Sequence, residues 1–168
     1  LLSDVHPGDV LAVGDGSVAL LVESIDGDQA KAMVCHGGPV QGRPGLHIPS
    51  DRLSMASPTP EDLRMLDAFV EEGVDMVALS FVNTVEDVRA LRELLTPFGD
   101  EQPAIVLKIE TVRAFENLPA LLLAAMASER VGVMIARGDL AVEVGFERLA
   151  EVQEEIMWAC EAAHVPVV

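Results

Sequence analysis

Residues 131–145 read VGVMIARGDLAVEVG, and two incompatible structures can be drawn through them. Arg137-Gly138-Asp139 matches a cell-adhesion tripeptide, which belongs on an exposed loop. The six residues VGVMIA (131–136) form a continuous apolar run of strand length, the mark of a strand buried by its surroundings. A tripeptide match is cheap, while the flanking pattern constrains many positions at once. The stretch is therefore read as a buried strand with the carboxylate of Asp139 just past its end, at the mouth of a pocket.

The pattern repeats outward from there. Upstream, AIVLKIE (104–110) and VDMVALSF (74–81) are further apolar runs of strand length, and a last strand begins at Val165. Between them the apolar spacing turns helical. Leu63, Leu66, Phe69 and Val70 stripe one segment, which Thr59-Pro60-Glu61-Asp62 opens and Gly73 ends. Thr84 and Asp87 have capping-box spacing ahead of Val88, Leu91, Leu94 and Leu95. A helix is predicted over 112–127, and Leu149, Val152, Ile156, Cys160 and Ala163 stripe another. Strands and helices alternating in units of about 30 residues indicate parallel βα repetition. Strands without polar alternation predict burial on both sheet faces. No GxGxxG follows a strand and no Walker A sequence is present, so the nucleotide-binding Rossmann and P-loop readings lack their fingerprints. The fold class is α/β, a segment of a parallel (β/α)8 TIM barrel.

The first fifty residues have a different rhythm. Strands are predicted near 9–13, 17–25 and 29–35, with GDG and DGD as tight turns. A Gly- and Pro-rich stretch then holds one more short strand and a linker. The division expected is 1–54, part of a small β domain, and 55–168, about three complete βα units of the barrel.

Composition narrows the function. Lys and Arg number 11 against 28 Asp and Glu, a net charge of −17, which disfavours nucleic acid and anionic lipid as partners. The longest apolar run, ALLLAAMA (120–127), is far too short to cross a membrane. Cys35 and Cys160 have neither metal-ligand spacing nor a disulfide framework, so a reducing cytoplasm is the expected location. The chain opens on Leu1 and stops at HVPVV inside a strand signal, as expected for a piece of a longer protein.

Active sites of βα barrels lie at the C-terminal ends of the strands. Lys108 and Glu110, two residues apart, share one face of their strand end. Asp139 stands one βα unit later, just past the same end of the neighbouring strand, and neighbouring strands lie about 5 Å apart. Two carboxylates there can share Mg²⁺ or Mn²⁺, hard cations that prefer oxygen ligands and keep several waters. Lys108 can stabilise a developing oxyanion or a migrating phosphoryl group. The same residues also fit a strand-end salt bridge between Lys108 and Glu110, with Asp139 as N-cap of a segment starting at Leu140. His6, His36, His47 and His164 show no ligand spacing and are assigned to surface and loops. The seven methionines and Trp158 are expected to pack. Asp15, in VGDGS, reads first as a turn former.

LKIE and MIARGDLAVE, in order with GVDMVALSFV and CEAAHVPVV, resemble the barrel of the pyruvate kinase family. HPGDVLAVGDGSVALLV and GRPGLHIP resemble its inserted β lid, a small barrel-like domain. The resemblance covers nearly the whole chain. It implies phosphoryl transfer from phosphoenolpyruvate to ADP, giving pyruvate and ATP, the glycolytic reaction. It implies Lys108 as the group stabilising that transfer and the enolate, and Glu110 and Asp139 as ligands of Mg²⁺ or Mn²⁺. It further implies that the amides of Ala136, Arg137, Gly138 and Asp139 cradle the substrate carboxylate, and that Asp15 is the lid aspartate. Potassium is implied too, with its site outside this segment, as are the ADP contacts and a C-terminal regulatory domain. The parent protein is expected to be a homo-oligomer, a homotetramer by the resemblance, and the isolated piece to be inactive because three strands cannot close the barrel. Two other functions remain open: a metal-dependent lyase or aldolase of the phosphoenolpyruvate/pyruvate barrel group, and a non-catalytic homologue. Departures from the family pattern mark a divergent branch: Gly14-Asp15-Gly16 where two acids are usual, Gly45-Leu46-His47-Ile48-Pro49-Ser50 in place of GVNLPG, Asn83 where an Arg is common, and Ala141 and Gly145 in GDLAVEVG.

Overall fold

Short turns bring the first strands together as hairpins. In a computed structural model, residues 2–14, 16–42, 44–49 and 57–168 are described. The chain divides into two compact units, 1–54 and 55–168. The first contains β1 (Val10–Val13), β2 (Val18–Asp26), β3 (Gln29–His36) and β4 (Leu46–His47), an antiparallel sheet in the order β3-β2-β1-β4. Asp26 pairs with Gln29 across a two-residue turn, and Gly27 adopts φ 59° there, a left-handed conformation that costs glycine nothing. Its small core is Val5, Leu11, Val22 and Ile48.

The second unit is built around three parallel strands: β5 (Met76–Leu79), β6 (Ala104–Ile109) and β7 (Val131–Ile135), in the order β5-β6-β7. Val167 continues the series through a parallel bridge to Val133, where the last strand signal lies. Strand order follows chain order with no reversal, unlike a doubly wound sheet, which reverses at a switch point. The helices are α1 (Pro60–Glu71), α2 (Val85–Leu95), α3 (Val112–Glu116), α4 (Leu118–Ala125), α5 (Arg137–Val144) and α6 (Leu149–Ala162). Among the described residues, no helix is long and apolar enough to cross a membrane.

The expected capping box forms at Thr84 ahead of α2, and a second forms at Thr59 ahead of α1. In the latter, Asp62 Oδ2 accepts from the Thr59 N–H at 2.8 Å and from its hydroxyl at 2.7 Å. These bonds favour the ionised carboxylate and lower the Asp62 pKa, the side-chain bond most strongly. Because the folded pKa is depressed, this contribution is present above the unfolded pKa and disappears as pH falls through the folded one. Thr59→Ala should lower stability by about 1 kcal/mol at neutral pH, and chemical denaturation repeated in acid should show that difference narrowing.

Packing departs from the sequence reading in four places. The helix predicted over 112–127 is two helices, broken at Asn117, because Pro119 opens α4 and cannot continue the ladder of α3. The sheet is covered on one face, where Leu79, Ile105, Leu107, Ile109 and Val133 are buried under the helices. Its other face carries Met76, Ala78, Ala104, Val106 and Met134, none of them buried, so burial on both faces does not hold within this chain. Every described methionine is exposed, with Met55 outside the described residues. Trp158 is also exposed, at 63%; it lies about 200° around α6 from Ile156, away from the buried stripe of Val152, Ile156 and Cys160. Cys160 is buried, Cys35 is exposed, and both are free thiols.

Candidate active site at the strand ends

Parallel pairing puts the C-terminal ends of β5, β6 and β7 on one edge of the sheet. The registers Leu79↔Leu107, Lys108↔Met134 and Ile109↔Ile135 bring the turns beyond the three strands side by side. Along β6, Ile105, Leu107 and Ile109 face the helices, so the pleat turns Lys108 to the other side. Glu110 comes directly after the strand and is only 1% exposed.

Burying a carboxylate this fully requires partners for its charge, and the strand ends supply them. Lys108 Nζ lies 2.6 Å from Glu110 Oε1, and the Phe81 N–H donates to Oε2 at 2.6 Å. Lys108 Nζ also donates to Ser80 Oγ at 3.1 Å. An ammonium group has three donors, so among the described residues these contacts leave one, and the side chain is 23% exposed. Lys108 can thus hold Glu110 and still meet a ligand.

Asp139 lies on the first turn of α5, which starts one residue after β7. It is exposed, and its carboxylate makes no hydrogen bond or ion pair among the described residues. The N-cap reading of Asp139 is overturned: the cap position is Ala136, without a side-chain bond, and Asp139 is the third helical residue. The Ala136 N–H is not free either, since it donates to the Ile109 carbonyl at 3.2 Å. Among the described residues, that leaves the first-turn amides of Arg137, Gly138 and Asp139 outside the helix ladder and open to an anion. Asp15 lies outside the described residues.

Among the described residues, no group of three or more His, Cys, Asp and Glu is placed to hold a metal alone. Two carboxylates from adjacent strand ends are nevertheless a donor set that fits a hard divalent cation, which takes its remaining ligands from water and substrate. Glu110 keeps capacity for this because each carboxylate oxygen has a second lone pair.

Several participants were not singled out from the sequence. Ser80 ends an apolar run, the same signal that marks Glu110 and Asp139, and could have been found that way. Phe81 contributes a backbone N–H, which no side-chain pattern reveals. Thr111, 1% exposed, caps α3 by accepting from the Ala114 N–H at 3.0 Å and donates its hydroxyl to Asn83 Oδ1. Glu143 Oε2 accepts from the Val112 N–H at 3.3 Å, tying α5 to the start of α3.

A family model described as pyruvate kinase, barrel domain, matches residues 1–168. The chain is 36% identical over 168 residues to the pyruvate kinase of Mycobacterium tuberculosis, covering 100% of this chain and 34% of that protein. It is 33% identical over 168 residues to the pyruvate kinase of Clostridium acetobutylicum, covering 100% and 34%. With plastidial pyruvate kinase 3, chloroplastic, of Arabidopsis thaliana it is 34% identical over 167 residues, 99% and 28% of the two chains. The chain spans about a third of the length of the curated relatives it matches. With the family model matching end to end, the chain belongs to the pyruvate kinase family.

Proposed function

We propose that the protein carrying this chain transfers the phosphoryl group of phosphoenolpyruvate to ADP, giving pyruvate and ATP. The observation that carries this reading is the ion pair between Lys108 and the buried Glu110, at 2.6 Å, at the end of β6. A lysine held there with a free donor suits a reaction in which negative charge moves from one oxygen to another. As the bond between phosphorus and the enol oxygen breaks, its electron pair stays on that oxygen, while a bond forms from phosphorus to an ADP oxygen. Lys108 tracks this charge by its remaining N–H, first on the phosphoryl oxygens and then on the enolate, which takes a proton on carbon to become pyruvate. The first-turn amides of Arg137, Gly138 and Asp139 hold the substrate carboxylate, aided by the positive end of α5.

Glu110 and Asp139 would hold Mg²⁺ or Mn²⁺, which supplies charge neutralisation and substrate orientation when bound. Potassium is assigned outside this segment. Residues 1–54 are assigned to a lid carrying Asp15, and 55–168 to a (β/α)8 barrel completed by the rest of the protein, which would cover Met76, Val106 and Met134 as barrel interior. The protein is placed in the cytoplasm as a homotetramer, with no nucleic-acid or membrane partner. The full-length protein should form pyruvate and ATP from phosphoenolpyruvate, ADP and Mg²⁺. Metal-dependent cleavage of a 2-keto acid without ADP phosphorylation would replace this reading by a lyase, and neither activity would leave a binding homologue.

A further inference from the structure

Phe81 has φ 51°, a left-handed conformation that is an outlier for a bulky side chain and persists only where its surroundings impose it. Both of its peptide groups are held by side chains. Its N–H donates to Glu110 Oε2 at 2.6 Å, and its carbonyl accepts from Asn83 Nδ2 at 3.1 Å. The other end of the Asn83 amide, Oδ1, accepts from the Thr111 hydroxyl, and Thr111 is the residue next to Glu110. The Asn83 carbonyl accepts from Asn117 Nδ2 at 2.9 Å, and its N–H donates to Asp87 Oδ2 at 2.9 Å. Asn83 therefore joins the turn after β5 to the turn after β6 on both sides of Glu110. Only the bond to Asp87 belongs to the capping of α2; the side-chain bonds lead away from that helix.

We propose that Asn83 is a positioning residue for Glu110: by holding the Phe81 carbonyl it fixes the backbone conformation at Phe81, and with it the direction of the Phe81 N–H that orients the Glu110 carboxylate. Lys108 anchors one carboxylate oxygen, and the Asn83–Phe81 arm anchors the other, so the plane of the carboxylate is set from both sides. Asn83 touches neither Glu110 nor a reacting atom. Its effect passes through the backbone of Phe81, across the two peptide groups that flank it, and through Thr111.

This inference rests on the reading of Glu110 as a cation ligand, and the two can fail separately. Mn²⁺ binding to the full-length protein, monitored by electron paramagnetic resonance without substrates, is the direct readout. Glu110→Gln locates the site by weakening binding. Asn83→Ala should raise the Mn²⁺ dissociation constant about 10–100-fold, the usual cost of losing a partner that orients a ligand. Thr111→Val should weaken binding in the same direction, while Thr111→Ser, which keeps the hydroxyl, should bind as the unaltered protein does. Thermal melts identify which variants are folded, and Thr111→Val decides the matter if Asn83→Ala does not fold. A folded Asn83→Ala, or failing it a folded Thr111→Val, with unaltered Mn²⁺ affinity would overturn the positioning role and leave the site intact. Mn²⁺ binding insensitive to Glu110→Gln would overturn the cation reading, and the role of Asn83 with it.

Discussion

Replacing Lys108 with Met in the full-length protein should cut kcat for phosphoryl transfer by about 10²–10³-fold, the scale of removing one donor from developing oxyanion charge. The same change should cost stability for a separate reason. Glu110 is 1% exposed, with Lys108 Nζ 2.6 Å from Oε1, and breaking a buried pair leaves a carboxylate without its counter-charge. Such losses run about 3–5 kcal/mol; the lysine end is 23% exposed, so the lower figure is expected. The two effects separate in the double variant. Lys108→Met with Glu110→Gln removes the unpaired charge and should recover much of the stability and none of the activity. Denaturation is best measured in EDTA, since a bound cation would itself neutralise Glu110 and mask the cost. Activity within a few-fold of the unaltered protein in Lys108→Met would remove Lys108 from the chemistry.

The features legible in the sequence were local. The N-cap at Thr59 and the capping box at Thr84 need residues at most three apart, and the strand runs around β5, β6 and β7 announce themselves within a few positions. Lys108 and Glu110 were placed together by the two-residue period of a strand. The bonds that orient Glu110 are of another kind: Phe81 to Glu110 spans 29 residues and Thr111 to Asn83 spans 28. Such contacts exist only once two turns are brought to the same sheet edge, and one of them uses a backbone amide of no particular side-chain identity. Asn83 stands out in the sequence as a departure from the family pattern, without any indication of its contacts.

Other misreadings have simple physical origins. Pro119 marked the break between α3 and α4, but the apolar density of LLLAAMA obscured it. Trp158 is hydrophobic enough to be expected to pack, but its angle on α6 sets it away from the buried stripe of Val152, Ile156 and Cys160. Gly145 is a departure with a structural consequence, since it ends α5 at φ 88°.

Asp139 and Glu110 are assigned the same ligand task, yet the fold holds them very differently, and substitution should expose the difference. Asp139→Asn should weaken Mn²⁺ binding by more than about 100-fold, since a ligand matters more than the partners that orient one, and phosphoryl transfer should fall in parallel. Stability should hardly change. The Asp139 side chain is exposed and makes no bond among the described residues, so its structural contribution is its charge on the first turn of α5, about 0.3–1 kcal/mol. Glu110→Gln, in contrast, alters a buried carboxylate bonded to both Lys108 and the Phe81 amide, and should change stability as well as binding. Titrating Mn²⁺ against each variant and comparing their melts in EDTA separates the two roles. If Asp139→Asn bound the cation normally, the ligand set would have to be sought elsewhere along the strand ends. If it melted several degrees lower, Asp139 would be a structural residue of α5, and its exposure would no longer explain why an acid stands there. The expected outcome is an exposed acid that contributes little to the fold and much to cation binding, with one proposed ligand fixed in the core and the other free to meet the ion when it arrives.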